Sequence, residues 1–233
     1  MKNFLTARWQ DLIMVNYEID PAILANLIPP GTGLDFHEGR CFVSLVGFMF
    51  LNTRVLGIPI PFHTNFEEVN LRFYVERKTA DDVRRGVVFV KEIVPRYAIA
   101  AVARIFYEEP YEAWKMGHTK SGNEISYSWQ KGGNLNRICV EIGANLGIPA
   151  ADSYGEFIIE HYWGYTKRVG GRTDEYKVEH PKWELFSVKN SIIDVDFAAV
   201  YGGEFALLRD QKPYSVLLAK GSEITVYKGE KIL

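Results

Sequence analysis

The segment FEEVNLRFYV, residues 66–75, alternates between two kinds of side chain. Read as an extended strand, Val69, Leu71 and Phe73 fall on one side, and Glu68, Asn70 and Arg72 fall on the other. Period-two or apolar runs recur along much of the chain and predict strands at 9–17, 40–50, 86–94, 125–130, 137–142, 162–167, 174–180, 192–200, 215–219 and 223–227. Helical signals are few. IDPAILANLIPPG carries a cap at Asp20, a proline at the first helical position and a Pro29-Pro30-Gly31 stop. SYGE has the form of a capping box, Ser153 with Glu156, and opens a short helix over 153–160. The alanines of RYAIAAVARIFY favour helix over 96–107. LGIPIPFH is too rich in proline for a central strand, and ADDVRR reads as a polar turn. Many strands with few, short helices give a mainly β, α+β fold: a barrel or sandwich with helices outside it.

Composition narrows the function classes. The chain has 233 residues, 47% hydrophobic and 14% aromatic, enough for a sizeable core. No linker or composition break divides it, so a single domain over 1–233 is expected. The net charge of -2 gives no field for nucleic acid or an anionic membrane. No apolar run reaches the length of a membrane helix and no leader pattern opens the sequence, so a cytoplasmic protein is expected. Cys41 and Cys139, each inside an apolar run, read as buried reduced thiols. The five histidines (His37, His63, His118, His161 and His180) show no i, i+4 pair or short ligand spacing, so no metal site is expected.

The polar row at 68–72 then stands out. An arginine and a glutamate in a dry core cost several kcal/mol unless paired. Glu68 and Arg72 lie about 13–14 Å apart along an extended strand, too far for direct pairing. Either this face is solvated or self-paired, or it lines a wet cavity inside a barrel and orients a small ligand. EHYWGYTKR, with His161, Trp163, Tyr165 and Lys167 alternating, and HPKWEL have a similar aromatic-polar character, met in ligand pockets and equally in ordinary core or rim. No nucleophile elbow, phosphate loop or dinucleotide fingerprint is present, and no cofactor is implied.

Six motifs in order, WQDL, IPP-x-x-x-LD-x-x-x-G, E-x-N-x-R-x-YV, EEPY-x-A, EHY-x-x-Y and HP-x-W-x-L, resemble the YqjF-like family of domain-of-unknown-function proteins, grouped with the acetoacetate-decarboxylase-like superfamily. The resemblance covers residues 8–228. It implies a large, mostly antiparallel, closed or nearly closed β-barrel enclosing a cavity, where the decarboxylases bind their keto acid. The decarboxylases use a Schiff-base lysine in a Pro-Lys-Lys run. Here the matching residues are Pro95-Arg96-Tyr97, and arginine stays protonated and cannot serve as that nucleophile. The decarboxylase glutamates align with Ser44 and near Thr53, and an arginine near their first strand aligns with Arg8. The resemblance therefore implies the cavity without the Schiff-base machinery.

Three readings follow. In the first, the barrel binds a small anionic or carbonyl-bearing ligand: Arg8, Ser44, Asn70, Arg72, Arg96 and His161 bind, and Glu68 is the general acid or base. In the second, a displaced lysine, Lys91 or Lys115, carries decarboxylase or aldolase chemistry. In the third, the row is a structural network in a non-enzymatic protein. The decarboxylases assemble into oligomers, so a homo-oligomer is among the partners the resemblance implies.

Overall fold

The computed structural model describes residues 2–101, 109–168 and 170–232. Seven strands close a barrel: β3 (Phe42–Val55), β5 (Phe66–Lys78), β6 (Val83–Val94), β11 (Trp163–Lys167), β12 (Thr173–Glu179), β15 (Glu223–Tyr227) and β1 (Asn3–Glu18), which pairs back onto β3. Neighbours run antiparallel except at β6–β11. A second layer continues from β1 through β14 (Ser215–Ala219), β13 (Leu185–Asp194), β10 (Asn134–Gly147) and β9 (Glu124–Lys131) to β8 (Lys115–Ser121).

The first strand belongs to both layers. Its start pairs with β15, its end with β14, and its whole length with β3. The switch occurs at Asp11, which has a φ of 55° and sits where the β1–β3 register slips. Such a bulge adds twist and turns the strand. Lys120 holds the Asp11 carboxylate at 2.9 Å, and Tyr127 donates to its carbonyl at 2.9 Å, so the second sheet clamps the bend. Opposite it, Gly221 has a φ of 77°, and a Cβ there would lie 2.1 Å from the Trp9 carbonyl. Only glycine fits this approach.

Two cores result. Ile13, Val15, Val43, Leu45, Val69, Leu71 and Phe73 pack between barrel and second sheet against Tyr127, Trp129 and Val140. Leu12, Met14, Phe42, Val46, Phe48, Phe50, Phe66 and Tyr176 fill the barrel. Both faces of β1, β3 and β5 are therefore buried.

Most expected strands are present, generally longer than their apolar runs. Helix α1 (Pro21–Leu24) carries the Asp20 cap, whose side chain accepts from Ala22 N at 2.9 Å. Residues 97–101 form α2; Arg96, the first residue of the helix expected over 96–107, precedes it, and residues 102–107 lie outside the described residues. Helix α3 (Tyr154–Ile159) starts at Ser153, whose hydroxyl accepts from Glu156 N; the Glu156 carboxylate reaches back to Asp152 N. The proline-rich connection makes only β4 (Ile58–Pro59), an edge hairpin on β3.

The strand expected over 192–200 is corrected. It begins at Leu185 and ends at Asp194, and Phe197–Tyr201 is helix α4. Asp196 caps that helix through Ala199 N at 3.0 Å, which breaks the alternation where the sequence suggests continuity. The polar turn is also shorter than ADDVRR: residues 83–85 already belong to β6. Several elements have no counterpart in the sequence reading, among them β7 (Tyr111–Ala113), the polar edge strand β8 and a 3-10 helix at Gly203–Arg209. Both cysteines are buried and free.

Candidate functional site in the barrel lumen

The inward row of β5 forms one wall of the lumen. Across β3, Phe48 lies opposite Glu68, Val46 opposite Asn70 and Ser44 opposite Arg72. Across β6, Glu92 lies opposite Asn70 and Phe89 opposite Arg72. Those last two pairings are out of step. Leu71 pairs with Lys91 and Arg72 with Phe89, so β6 carries one extra residue at Val90. A regular strand with Phe89 inward would turn Lys91 inward as well; the extra residue turns Glu92 inward and Lys91 out.

The cavity bounded by this wall has a volume of about 130 Å³. Trp9, Leu12, Val46, Phe48, Phe50 and Phe66 make most of its surface apolar; Glu68, Asn70, Arg72, Glu92, Tyr111 and Tyr176 supply its polar groups. Asn70 Nδ2 donates to Glu68 Oε1 at 2.9 Å, and the Tyr111 hydroxyl donates to Glu68 Oε2 at 3.0 Å. Arg72 donates at 3.2 Å to the Ile158 carbonyl. That carbonyl belongs to the last turn of α3, where carbonyls lack helical partners and the helix dipole favours a cation. The guanidinium also lies 5.7 Å from the centre of the Tyr74 ring. Three buried polar atoms here have no hydrogen-bond partner: Arg72 Nε, Asn70 Oδ1 and Glu92 Oε2.

Burial governs the protonation of the wall. Glu68 is pushed up to about 7, with the bonds from Asn70 and Tyr111 and the charge of Arg72 acting against the shift. Glu92 is raised well above the ordinary carboxyl range by burial and by the nearby Glu109 and Glu68. Glu109 sits just before β7 and accepts from the Tyr176 hydroxyl at 2.5 Å; burial first, and Glu68 as well, push it up to about 8. Burial thus favours the neutral acid form of Glu92 and Glu109, and Arg72 is the cation of the wall. Tyr176 fits because Gly164 lies directly opposite on β11; a Cβ there would fall 2.1 Å from the tyrosine ring.

The other expected residues are scattered. His161 is buried beside the cavity, in a smaller chamber of about 20 Å³ shared with Arg72, Trp9, Tyr176, His180 and Trp183. Its Nε2 lies 3.0 Å from Asp35 Oδ2, which also accepts from Arg85 Nε at 2.6 Å. Burial lowers His161 to about 4, so it is neutral at physiological pH. Ser44 lies past the cavity, bonded to Asn16 and to the Tyr74 hydroxyl, both at 2.6 Å. Arg8 points outward, bonded to Gln10 and 3.5 Å from Glu223. Arg96 is exposed after β6 and does not line the cavity. The lysines are elsewhere too. Lys91 donates to the Val200 carbonyl at 2.6 Å and pairs with Glu112 at 2.9 Å, and Lys115 is exposed. Among the described residues no lysine lines the cavity.

Sequence reasoning missed Glu92, Glu109, Tyr111 and Tyr176. Glu109 and Tyr111 stand inside the EEPY motif already noticed, and Glu92 follows Lys91 as an unexplained charge in an apolar strand.

Solved structures share this architecture. An acetoacetate decarboxylase from Legionella pneumophila superposes with a TM-score of 0.70 at 12% identity, covering 100% of this chain and 88% of that one. The enduracididine biosynthesis enzyme MppR, complexed with pyruvate, gives 0.68 at 12% identity, covering 99% and 91%. These likenesses show the acetoacetate-decarboxylase-like fold. In sequence, the uncharacterized protein YqjF of Bacillus subtilis is 32% identical over 120 residues, 51% of this chain and 48% of YqjF, so the match spans about half the length of that curated relative. The family model for DUF2071, described as an uncharacterized conserved protein, matches residues 6–223, nearly the whole length of the barrel and its second sheet, and the chain belongs to that family.

Proposed function

We propose that the lumen binds a small carboxylate or carbonyl compound and that Glu68 serves it as an acid–base group, without a lysine adduct. One observation carries this reading: three buried, unpartnered polar atoms, on Arg72, Asn70 and Glu92, border a single, mostly apolar cavity. Each such atom costs about 1–3 kcal/mol when left unpaired. Gathered on one wall, they match the pattern of ligand sites, an apolar pocket with a few convergent polar groups. Arg72 would hold a carboxylate by charge-assisted hydrogen bonds. A Glu68 pushed up to about 7 can both take and give a proton near neutral pH. Two fold neighbours are support of a weaker kind: one is named for acetoacetate, and one was complexed with pyruvate.

The outward placement of Lys91 and Lys115 leaves the displaced-lysine reading without a nucleophile at the cavity. Calorimetric titration with pyruvate, 2-oxobutanoate, acetoacetate and acetone tests the proposal. The wild type should bind at least one of them, and Arg72→Gln should lower that affinity at least about tenfold, the loss of one charge-assisted contact, with an unchanged circular dichroism spectrum. Equal affinity in the variant, or no binding by the wild type, would overturn it and leave the row as a structural network.

A further inference from the structure

From the placement of Glu92 we infer that Glu68 and Glu92 form an acid–base pair that enolises a 2-oxo acid in the lumen, Glu68 taking the C3 proton and Glu92 protonating the carbonyl oxygen. This rests on the ligand reading above and goes beyond it by naming a second catalytic residue and a reaction class.

The order of groups along the wall carries the argument. Arg72, Asn70 and Glu68 follow one another on β5, with Glu92 directly opposite the middle one. A 2-oxo acid presents a carboxylate, a carbonyl and an acidic C–H in that same order. With the carboxylate at Arg72, the carbonyl falls between Asn70 and Glu92, and C3 falls toward Glu68. Substituents on C3 then meet Phe48, Phe50 and Phe66.

Glu92 is suited to be the acid. Its side chain is 1% exposed and lines the cavity, and its Oε2 has no partner. Burial foremost, then Glu109 and Glu68, oppose its ionisation, and a side-chain hydrogen bond with Tyr111, its neighbour on β7, acts against them without reversing the shift. A carboxyl in such surroundings keeps its proton at neutral pH and acts as a hydrogen-bond donor, while a second carboxyl in a more polar setting acts as base. Glu68 has that setting: it accepts from Asn70 and Tyr111 and feels Arg72.

The step balances without a cofactor. The C3–H bond breaks and its proton goes to the Glu68 carboxylate. The freed pair forms the C2=C3 bond, the carbonyl π pair moves to oxygen, and that oxygen takes the Glu92 proton. The enol is left between a protonated Glu68 and an ionised Glu92. Reversal restores both groups, and in heavy water it returns a deuteron to C3.

Proton NMR of 2-oxobutanoate in deuterated buffer reads the step directly, and saturation transfer in the same tube reads binding. The wild type should exchange one of the two C3 hydrogens, giving a single enantiomer of the monodeuterated product, faster than buffer. Glu68→Gln and Glu92→Leu should each cut the rate by about 10²-fold or more. Glu92→Gln, which keeps an N–H donor of the same shape, should retain more activity than Glu92→Leu. Binding without exchange by the wild type would overturn the inference and leave the ligand reading standing. Absence of 2-oxobutanoate binding would overturn the inference, and the ligand reading would fall with it only if pyruvate, acetoacetate and acetone also failed to bind. Wild-type exchange rates in either Glu92 variant would remove Glu92 from the step.

Discussion

The two faces of β5 are both buried, yet they are built to opposite rules. Val69, Leu71, Phe73 and Val75 lie against the second sheet, all 0% exposed, with no polar atom in the row. On the lumen side, Glu68 and Asn70 are each 2% exposed, yet carry a carboxyl and an amide, and Asn70 Oδ1 is left there without a partner. Burial alone therefore does not separate scaffold from site. Unmet hydrogen-bonding capacity beside an open volume does.

The sharpest test of this contrast is Phe73→Ala. On the dry face it should cost about 3–5 kcal/mol, lowering Tm by roughly 10 °C for a chain of this size, as read by thermal unfolding. Next comes pH. Glu68, Glu92 and Glu109 hold protons in the folded protein that the unfolded chain has released above its ordinary carboxyl range. The folded state therefore binds more protons there, and stability falls as pH rises toward the folded values. His161 and His180, lowered to about 4, work the other way, but their contribution is complete above their unfolded value of 6.5. Between pH 6.5 and 8.5, the midpoint of urea unfolding should drop by the equivalent of at least about 2 kcal/mol. Glu109→Gln should flatten that decline; an unchanged slope would mean that Glu109 is ionised in the fold. A smaller effect is expected from Glu92→Leu. Removing a buried carboxyl that has one unpartnered oxygen should leave stability within about 1 kcal/mol of wild type or raise it. A loss as large as that of Phe73→Ala would make the wall scaffold. Smallest of all, Arg8→Ala, on the outside of the barrel, should change stability by no more than about 0.5 kcal/mol and leave ligand affinity untouched.

Much of the barrel was legible because its strands obey period two and its turns are punctuated by proline and glycine. The polar row at 68–72 was legible for the same reason, although period alone left open whether it met water or a cavity. Five of the six motifs place a residue on the cavity or the chamber beside it: Trp9, the β5 row, Tyr111, His161, and His180 with Trp183; the sixth supplies Asp35, which holds His161 from behind. Their order in the chain hides this, because β1, β5, β7, β11 and β12 meet only when the sheet closes. Glu92 escaped because the extra residue at Val90 reverses the alternation in mid-strand, and no local signal announces a bulge. Arg8 and Arg96 were placed by alignment to a distant family, where a slip of one residue turns a side chain to the other face.

The strand that joins both layers also constrains how the chain is made. Leu12 pairs with Ala219, and Ala7 with Ile224. At about 5–20 residues per second, a ribosome delivers those partners roughly 10–40 s after β1 has been synthesised. Until then β3 can cover one edge of β1, but the other edge lacks its native partners. A nascent chain with a bare hydrophobic edge for that long is a natural client for chaperones. The nearly continuous apolar run at 12–17 that makes β1 a good shared wall also leaves it exposed to mispairing before the barrel closes.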